Sequence, residues 1–506
     1  MNLAEFLEAS AKRHPEKTAV IHEGRLTTYK ELNRLSNRMA NGLADLGLSF
    51  GDRCMVMMPN SITYMSLYYA LAKMGVEIIP VNFLFRSHEL SHIFTDAAPK
   101  AFIGSGDYLE EISKVFDKQG DPIIKLALEP GHNSSFGNLE SCLSERDAFT
   151  IHQTREDDTL NILYTSGTTG VPKGVMLTHG NLAINARILA GMRGTIEPDT
   201  VVIGTLPLFH VYGITSVMNV SMYLGLTIRL FTHFEPEPVI GVTEEEKRTI
   251  FFGVPTMINR LIQVAEESPP KRASLKFCIS GGASLPVEFL KRFESLFSTT
   301  IHEGYGLTEC PVCVENPYGK ITKPGSIGLP IPEFSAKIVD ENGQELPPEG
   351  IGELLIKGPG VMKGYLNKPE ATAETIKDGW LYTGDIARVD DDLYIYIVDR
   401  KKDLVIRGGY NVYPREIEEV IYQIEKVSEA AVYGVPHPDL GEEIAAVVVP
   451  KEGVTLEPEE VKAYVKERVA PYKYPRIIKV LSEPLPKSGS GKILKKEIRK
   501  QFINNE

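Results

Sequence analysis

Chemistry in this chain begins at Tyr164-Thr165-Ser166-Gly167-Thr168-Thr169-Gly170-Val171-Pro172-Lys173-Gly174, where three glycines, four hydroxyls and one lysine follow the apolar run Leu160-Asn161-Ile162-Leu163. Glycine lets backbone N–H groups face an anion with no Cβ in the way, hydroxyls add donors, and a lysine supplies a point charge. The pattern predicts a phosphate-holding loop after a buried strand. It departs from the Walker loop, which runs straight into a helix, because Pro172 precedes the lysine and Gly174 follows it. The bland alternative is a flexible surface turn.

Five further stretches carry matching chemistry. In His302-Glu303-Gly304-Tyr305-Gly306-Leu307-Thr308-Glu309 a tyrosine between glycines offers a flat face to a purine, and Glu309 offers oxygens to Mg²⁺; a strand-ending turn is the alternative. Ser280-Gly281-Gly282-Ala283-Ser284 reads as a helix entrance stripped of side chains, or as a tight turn. Gly379-Trp380-Leu381-Tyr382-Thr383-Gly384-Asp385 ends on an acid that could accept two ribose hydroxyls, and Asp399-Arg400-Lys401-Lys402-Asp403 with Arg407-Gly408-Gly409-Tyr410 has the polar, glycine-bearing character of a hinge. Leu485-Pro486-Lys487-Ser488-Gly489-Ser490-Gly491-Lys492 closes the set; alone it would read as a solvated lysine cluster.

All six in this order resemble the acyl-CoA ligases of the adenylate-forming superfamily over essentially the whole chain. Asn316-Pro317-Tyr318, Pro324-Gly325-Ser326-Ile327-Gly328-Leu329-Pro330, Lys363-Gly364-Tyr365 and Asn411-Val412-Tyr413-Pro414-Arg415-Glu416 look most like bacterial medium- and long-chain fatty acyl-CoA ligases. The resemblance implies that Thr165, Ser166, Gly167, Thr168, Thr169, Gly170 and Lys173 hold phosphates, and that Gly281, Gly282, Ala283, Gly304, Tyr305, Gly306, Leu307 and Thr308 frame AMP. It further implies that Asp385 and Arg400 hold ribose, that Glu309 binds Mg²⁺, and that Lys492 is the catalytic cation. Lys402 maps to a hinge, Gly408 and Gly409 to a CoA channel, and His210 to the aromatic position at the acyl end of the pocket. Phe209, Val211, Tyr212, Ser216, Val254, Gly282, Gly306, Cys310 and Pro311 become pocket walls, mainly apolar and without a base for a second carboxylate, which favours a plain apolar acid. ATP and coenzyme A are then substrates. Competing readings are an aryl acid–CoA ligase of 4-coumarate or benzoate type, an enzyme loading a carrier protein, a luciferase-like oxygenase, and a non-catalytic nucleotide binder. One departure is Asp390-Asp391-Asp392-Leu393, where the family usually has a turn glycine; an aspartate in the left-handed conformation is expected there.

The elements that must position these groups read as an α/β fold: a large N-terminal domain, residues 1–400, of two wound sheets plus a small β region, and a small mobile α+β domain, residues 401–506. Thr28-Tyr29-Lys30-Glu31 is a capping box opening a helix, strand and helix patterns alternate from Cys54 to Ile103 and again from Thr159 to Glu303, and residues 119–158 read as loop. At 506 residues two or more domains are expected, and a net charge of −12 argues against nucleic acid or an anionic membrane as partner. Positive charge must therefore be focused locally. Five cysteines make no disulfide framework and suit the cytoplasm; Cys310-Pro311-Val312-Cys313 is read either as a zinc or redox pair or as buried thiols. From Val201 to Ile228 no residue is formally charged, and the polar interruptions favour a strand and helix beneath a pocket over a membrane span. Peripheral membrane contact and a homodimer are left open.

Overall fold

The computed structural model describes residues 1–129, 135–165, 172–193, 196–489 and 491–503. Two sheets of eight and nine strands face one another, and the helix Ile62–Met74 lies between them with all its residues buried except one. Its tyrosines tie it to both sides: Tyr68 Oη donates to Asn161 Oδ1 at 2.8 Å, while Tyr64 Oη donates to Leu208 O at 2.7 Å and Tyr69 Oη to Asn219 Oδ1 at 3.0 Å. Buried hydroxyls need such partners. Ser61 caps the helix start through Tyr64 N, and Gly75 ends it at φ +69°, a conformation glycine adopts without strain.

The alternating patterns become strands as expected, but the sheets are mixed rather than purely parallel. Thr159–Thr165 pairs antiparallel with Lys173–Thr178, and Ile301–Leu307 with Cys310–Glu315. Both hairpins carry candidate site residues at their tips. The strand Thr18–His22, from the N-terminus, joins the second sheet beside Thr227–Leu230. The capping box at Thr28 is present, with Glu31 N donating to Thr28 Oγ1 at 3.2 Å and Thr28 N to Glu31 Oε2 at 2.8 Å.

The loop expected over residues 119–158 contains a strand, Ile124–Leu128, parallel to Ala101–Ser105. Its five residues are too short for a periodic signal; pairing against the strand that bears Phe102 makes it regular. The uncharged stretch resolves into the strand Val201–Gly204, a π-helix Gly213–Asn219, the helix Val220–Leu224 and the strand Thr227–Leu230. No helix among the described residues is long and apolar enough to cross a membrane.

The β region is a five-stranded antiparallel sheet, with Trp380–Val389 bonded to Gly352–Lys357 and Ile395–Arg400. Gly364–Tyr365 leaves it to pair with Val175 and Met176 of the phosphate-loop hairpin. Beyond Arg400, the hairpin Val427–His437 and Gly441–Pro450, backed by the helices Pro414–Ile421 and Pro458–Lys466, has apolar cores of its own. The turn of four at 390–393 corrects one expectation: Leu393, not an aspartate, takes the left-handed backbone at φ +68°. Asp390 explains why, since its Oδ1 accepts from Asp392 N and Tyr394 N and its Oδ2 from Lys323 Nζ at 2.6 Å.

Candidate active site

Strand pairing builds the nucleotide end of the site. Asp385 and Arg400 are register partners on adjacent strands, and Arg400 Nε lies 3.0 Å from Asp385 Oδ1. Tyr305 Oη donates to Asp385 Oδ2 at 2.6 Å, which joins the glycine-flanked tyrosine to the acid. Burial, with Asp385 alongside, holds the Tyr305 phenol well above its ordinary range, so it stays a donor. Gly306 has no substitute: a Cβ there would stand 1.5 Å from Pro311 O across the hairpin. Leu307 pairs with Cys310, leaving Thr308 and Glu309 in the turn.

Ser280-Gly281-Gly282-Ala283-Ser284 is a turn and not a helix entrance, because the strand Leu275–Ser280 ends there and the next helix starts only at Val287, after Pro286. Gly282 and Ala283 are exposed, and Gly281 lets the Tyr212 ring approach to 3.1 Å of where a Cβ would be.

The end of the site expected to meet phosphate rests on a small cluster. Thr165 and Lys173 face one another in register; Ser166, Gly167, Thr168, Thr169 and Gly170 lie outside the described residues. Lys173 Nζ sits 4.9 Å over the Tyr365 ring, and Tyr365 Oη donates to Glu309 Oε1 at 2.8 Å. Tyr365 thus orients the carboxylate through one of its two oxygens. A single carboxylate suits Mg²⁺, which keeps water and substrate phosphates as its other ligands; among the described residues no cluster of three metal-ligating side chains exists. The residues present therefore fit that ion.

Lys492 arrives from the C-terminal part of the chain. Gly491 O accepts from Thr256 Oγ1 at 3.0 Å, at the start of the helix Pro255–Glu267, and a Cβ on Gly489 would meet Asn82 Nδ2, in the loop after the strand Glu77–Pro80. Lys492 is exposed, yet the protein gathered around it desolvates the amine. That desolvation, with Arg400 and Lys402 close by, pulls the ammonium down to about 8, against the pull of Asp385 and Asp403. Three cations thus meet in one cleft of a chain carrying −12 overall. Lys402 is exposed in the tight turn after Arg400, and Gly408 and Gly409, at φ +56° and +84°, form the tip of the hairpin Val405–Arg407 and Tyr410–Val412.

His210 faces the same cleft. Its Nδ1 accepts from Tyr212 N at 3.2 Å, which puts the proton of the neutral ring on Nε2. Burial and the neighbouring Lys492 push its pKa down to about 4, so the ring is a neutral donor at physiological pH. Of the expected pocket walls, Tyr212 and Phe209 are half-buried with accessible faces, and Phe209 packs edge-on to Phe83 at 5.6 Å. Val254 lies 3.5 Å from the Cβ position of Gly282. Val211, Ser216, Cys310 and Pro311 are buried in the packing behind that surface. Cys310 and Cys313 are packed thiols, with Cys313 Sγ donating to Tyr305 O at 3.6 Å. Sequence reasoning assigned no role to Tyr365, Phe83, Thr256 or the buried Arg193 and Glu315. Two of them gave a signal: Tyr365 in the Lys363-Gly364-Tyr365 motif, and Glu315 as an acid closing an otherwise apolar strand.

Residues 7–366 match the family model described as AMP-binding enzyme, and residues 416–492 match that of the AMP-binding enzyme C-terminal domain. The chain belongs to the AMP-binding enzyme family. It is an AMP-forming acyl-CoA synthetase of the adenylate-forming superfamily. It is 37% identical to a long-chain-fatty-acid–CoA ligase of Bacillus subtilis, covering 99% of this chain and 95% of that one. It is 36% identical to a feruloyl-CoA synthase of an Amycolatopsis species, covering 97% of each. The ATP-bound crystal structure of MatB from Rhodopseudomonas palustris, 34% identical, superposes with a TM-score of 0.90 over 99% of this chain and 98% of that one. The apo form of the same MatB gives 0.79 over the same shares. The overall likeness is thus greater to the ATP-bound form than to the apo form.

Proposed function

We propose that the enzyme joins an apolar carboxylic acid to the α-phosphate of ATP at the cleft between Lys492 and His210, then transfers the acyl group to the thiol of CoA. The observation that carries this reading is the meeting of Lys492, Arg400, Asp385, Tyr305 and His210 in one place. A carboxylate has no good leaving group, so it must first be activated, and two anions must approach. At about 4 Å their repulsion is roughly 4 kcal/mol at intermediate dielectric, so a cation between them is worth orders of magnitude in rate.

In the first step a carboxylate oxygen attacks the α-phosphorus and pyrophosphate leaves. Lys492 offsets the charge gathering on both groups, and the His210 Nε2–H donates to the acid's second oxygen. Lys173 and Thr165 hold the outer phosphates, Glu309 the Mg²⁺ that shields them, and Asp385 with Arg400 the ribose. Gly281, Gly282, Ala283, Gly304 and Tyr305 frame the base. In the second step the thiolate of CoA attacks the acyl carbon and AMP leaves. The space Lys492 fills must be vacated, so residues 401–506 turn about Lys402 and bring Gly408 and Gly409 to the pantetheine path. The cytoplasm is the compartment we assign, five unbridged cysteines supporting it.

A fatty acid is the first substrate reading, supported by the Bacillus subtilis relative. An aryl acid is the second, favoured by the feruloyl-CoA synthase that matches the same span. The test is a panel of acids from acetate to palmitate, with benzoate and 4-coumarate, assayed for AMP release with ATP and Mg²⁺, with and without CoA. CoA-dependent turnover of an apolar acid is expected. AMP release indifferent to CoA would overturn the thiolation step, and an acid that yields light or CO₂ would replace it with oxidation.

A further inference from the structure

The helix His179–Met192 runs into Arg193, and the strand Cys310–Glu315 ends on Glu315; Arg193 Nη2 meets Glu315 Oε2 at 3.3 Å with each side chain 1% exposed. The pair stands directly behind the acyl surface. Arg193 Cζ lies 4.9 Å from the centre of the Phe252 ring, and Phe252 packs edge-on to Tyr212 at 6.4 Å. Glu315 Oε2 is 3.4 Å from the Cβ position of Gly304.

The pair is an expensive way to fill space. Arg193 Nε and Nη1 have no hydrogen-bond partner among the described residues, Tyr318 is the polar neighbour of Glu315, and a buried ion pair seldom stabilises a fold more than two apolar side chains of the same size would. What charge does that hydrocarbon cannot is refuse an alkyl chain, which offers neither group a hydrogen bond.

We infer that Arg193 and Glu315 are a chain-length stop: held dry behind Tyr212 and Phe252, they close the floor of the acyl pocket and restrict the enzyme to compact acids, aryl or medium-chain. They touch no substrate atom and act by positioning Tyr212 and Phe252. The inference rests on the carboxylate activation proposed above.

The test compares kcat/KM for octanoate, 4-coumarate and palmitate in the wild-type enzyme and in the double variant Arg193→Met with Glu315→Leu, which keeps volume and removes both charges. Wild type should favour octanoate or 4-coumarate over palmitate by about tenfold or more, a step of the size that pocket-length discrimination reaches. The double variant should raise the palmitate to octanoate ratio by about tenfold. Glu315→Gln, which keeps shape and hydrogen bond, should leave the ratio within about threefold of wild type. Palmitate turned over by the wild type as well as octanoate overturns the inference while sparing the ligase reading, and this outcome needs no variant to fold. A folded double variant with an unchanged ratio also overturns it. If no acid drives CoA-dependent AMP release, the ligase reading fails and the stop falls with it.

Discussion

Lys492 is proposed to work through its charge, so its titration is the first property to measure. A lysine pulled down to about 8 is protonated below that pH and neutral above it. For the free enzyme, adenylation kcat/KM should therefore fall on the alkaline side with a limb near that value. His210, neutral above about 4, should add no limb near neutrality. Lys402→Met removes one of the cations that depress Lys492, so the limb should move to higher pH; a limb that stays put would assign it to another group. Lys492→Ala should lower adenylation by about a hundredfold or more, yet spare thioester formation from synthetic acyl-adenylate. Tyr365→Phe tests the orienting bond to Glu309: loss of one hydroxyl should raise the Mg²⁺ concentration for half-maximal rate about tenfold, with saturated kcat nearly unchanged. A fall in kcat with no change in Mg²⁺ dependence would deny Tyr365 that role.

Among the elements, the hairpin turns decide more than the helices. Gly306 exists because two strands of one hairpin cross too closely for a Cβ, and that close crossing brings Tyr305 to Asp385. The turn at 390–393 carries the opposite case, a leucine where a glycine would be unstrained. Leu393 is 63% exposed, so its side chain contributes little packing, and its φ of +68° is strained for a branched residue. Leu393→Gly should raise stability by about 0.5–1 kcal/mol with activity unchanged, read as a higher midpoint in urea. A lower midpoint would mean that the leucine packs against something the turn needs.

At the scale of the whole molecule, residues before and after Arg400 are joined by polar and aromatic contacts. Asn259 Nδ2 donates to Ser428 O at 3.0 Å, Gln263 Nε2 to Ser428 Oγ at 3.1 Å, and Thr256 Oγ1 to Gly491 O. Val287 N donates to Glu419 Oε2 and Arg415 N to Asp399 Oδ2, and Phe289 packs edge-on to Tyr422, so the proposed turn between half-reactions must break this whole set. Lys402→Pro stiffens the turn between the parts. Pyrophosphate exchange should stay within about threefold of wild type while thioester formation drops about tenfold or more. Equal losses in both half-reactions would remove the hinge from residue 402.

Much of this was legible in the chain itself. Motif order along the polymer carried the family, because anion-binding loops need glycine, hydroxyls and lysine whatever surrounds them, and hydrophobic period carried the alternating α/β layers. Capping chemistry is local, so the helix after Thr28 could be placed from four residues. What only the tertiary structure decided was set by distance across the fold. Ile124–Leu128 became a strand because a partner strand was waiting, and Gly364–Tyr365 crossed to the phosphate hairpin and put Tyr365 on Glu309. Arg193 and Glu315 lie 122 residues apart, and although an acid closing an apolar strand marks Glu315, nothing in the sequence foretells that its partner is Arg193. A residue's chemistry is written in its type, but its partner and its solvent are properties of the packed molecule.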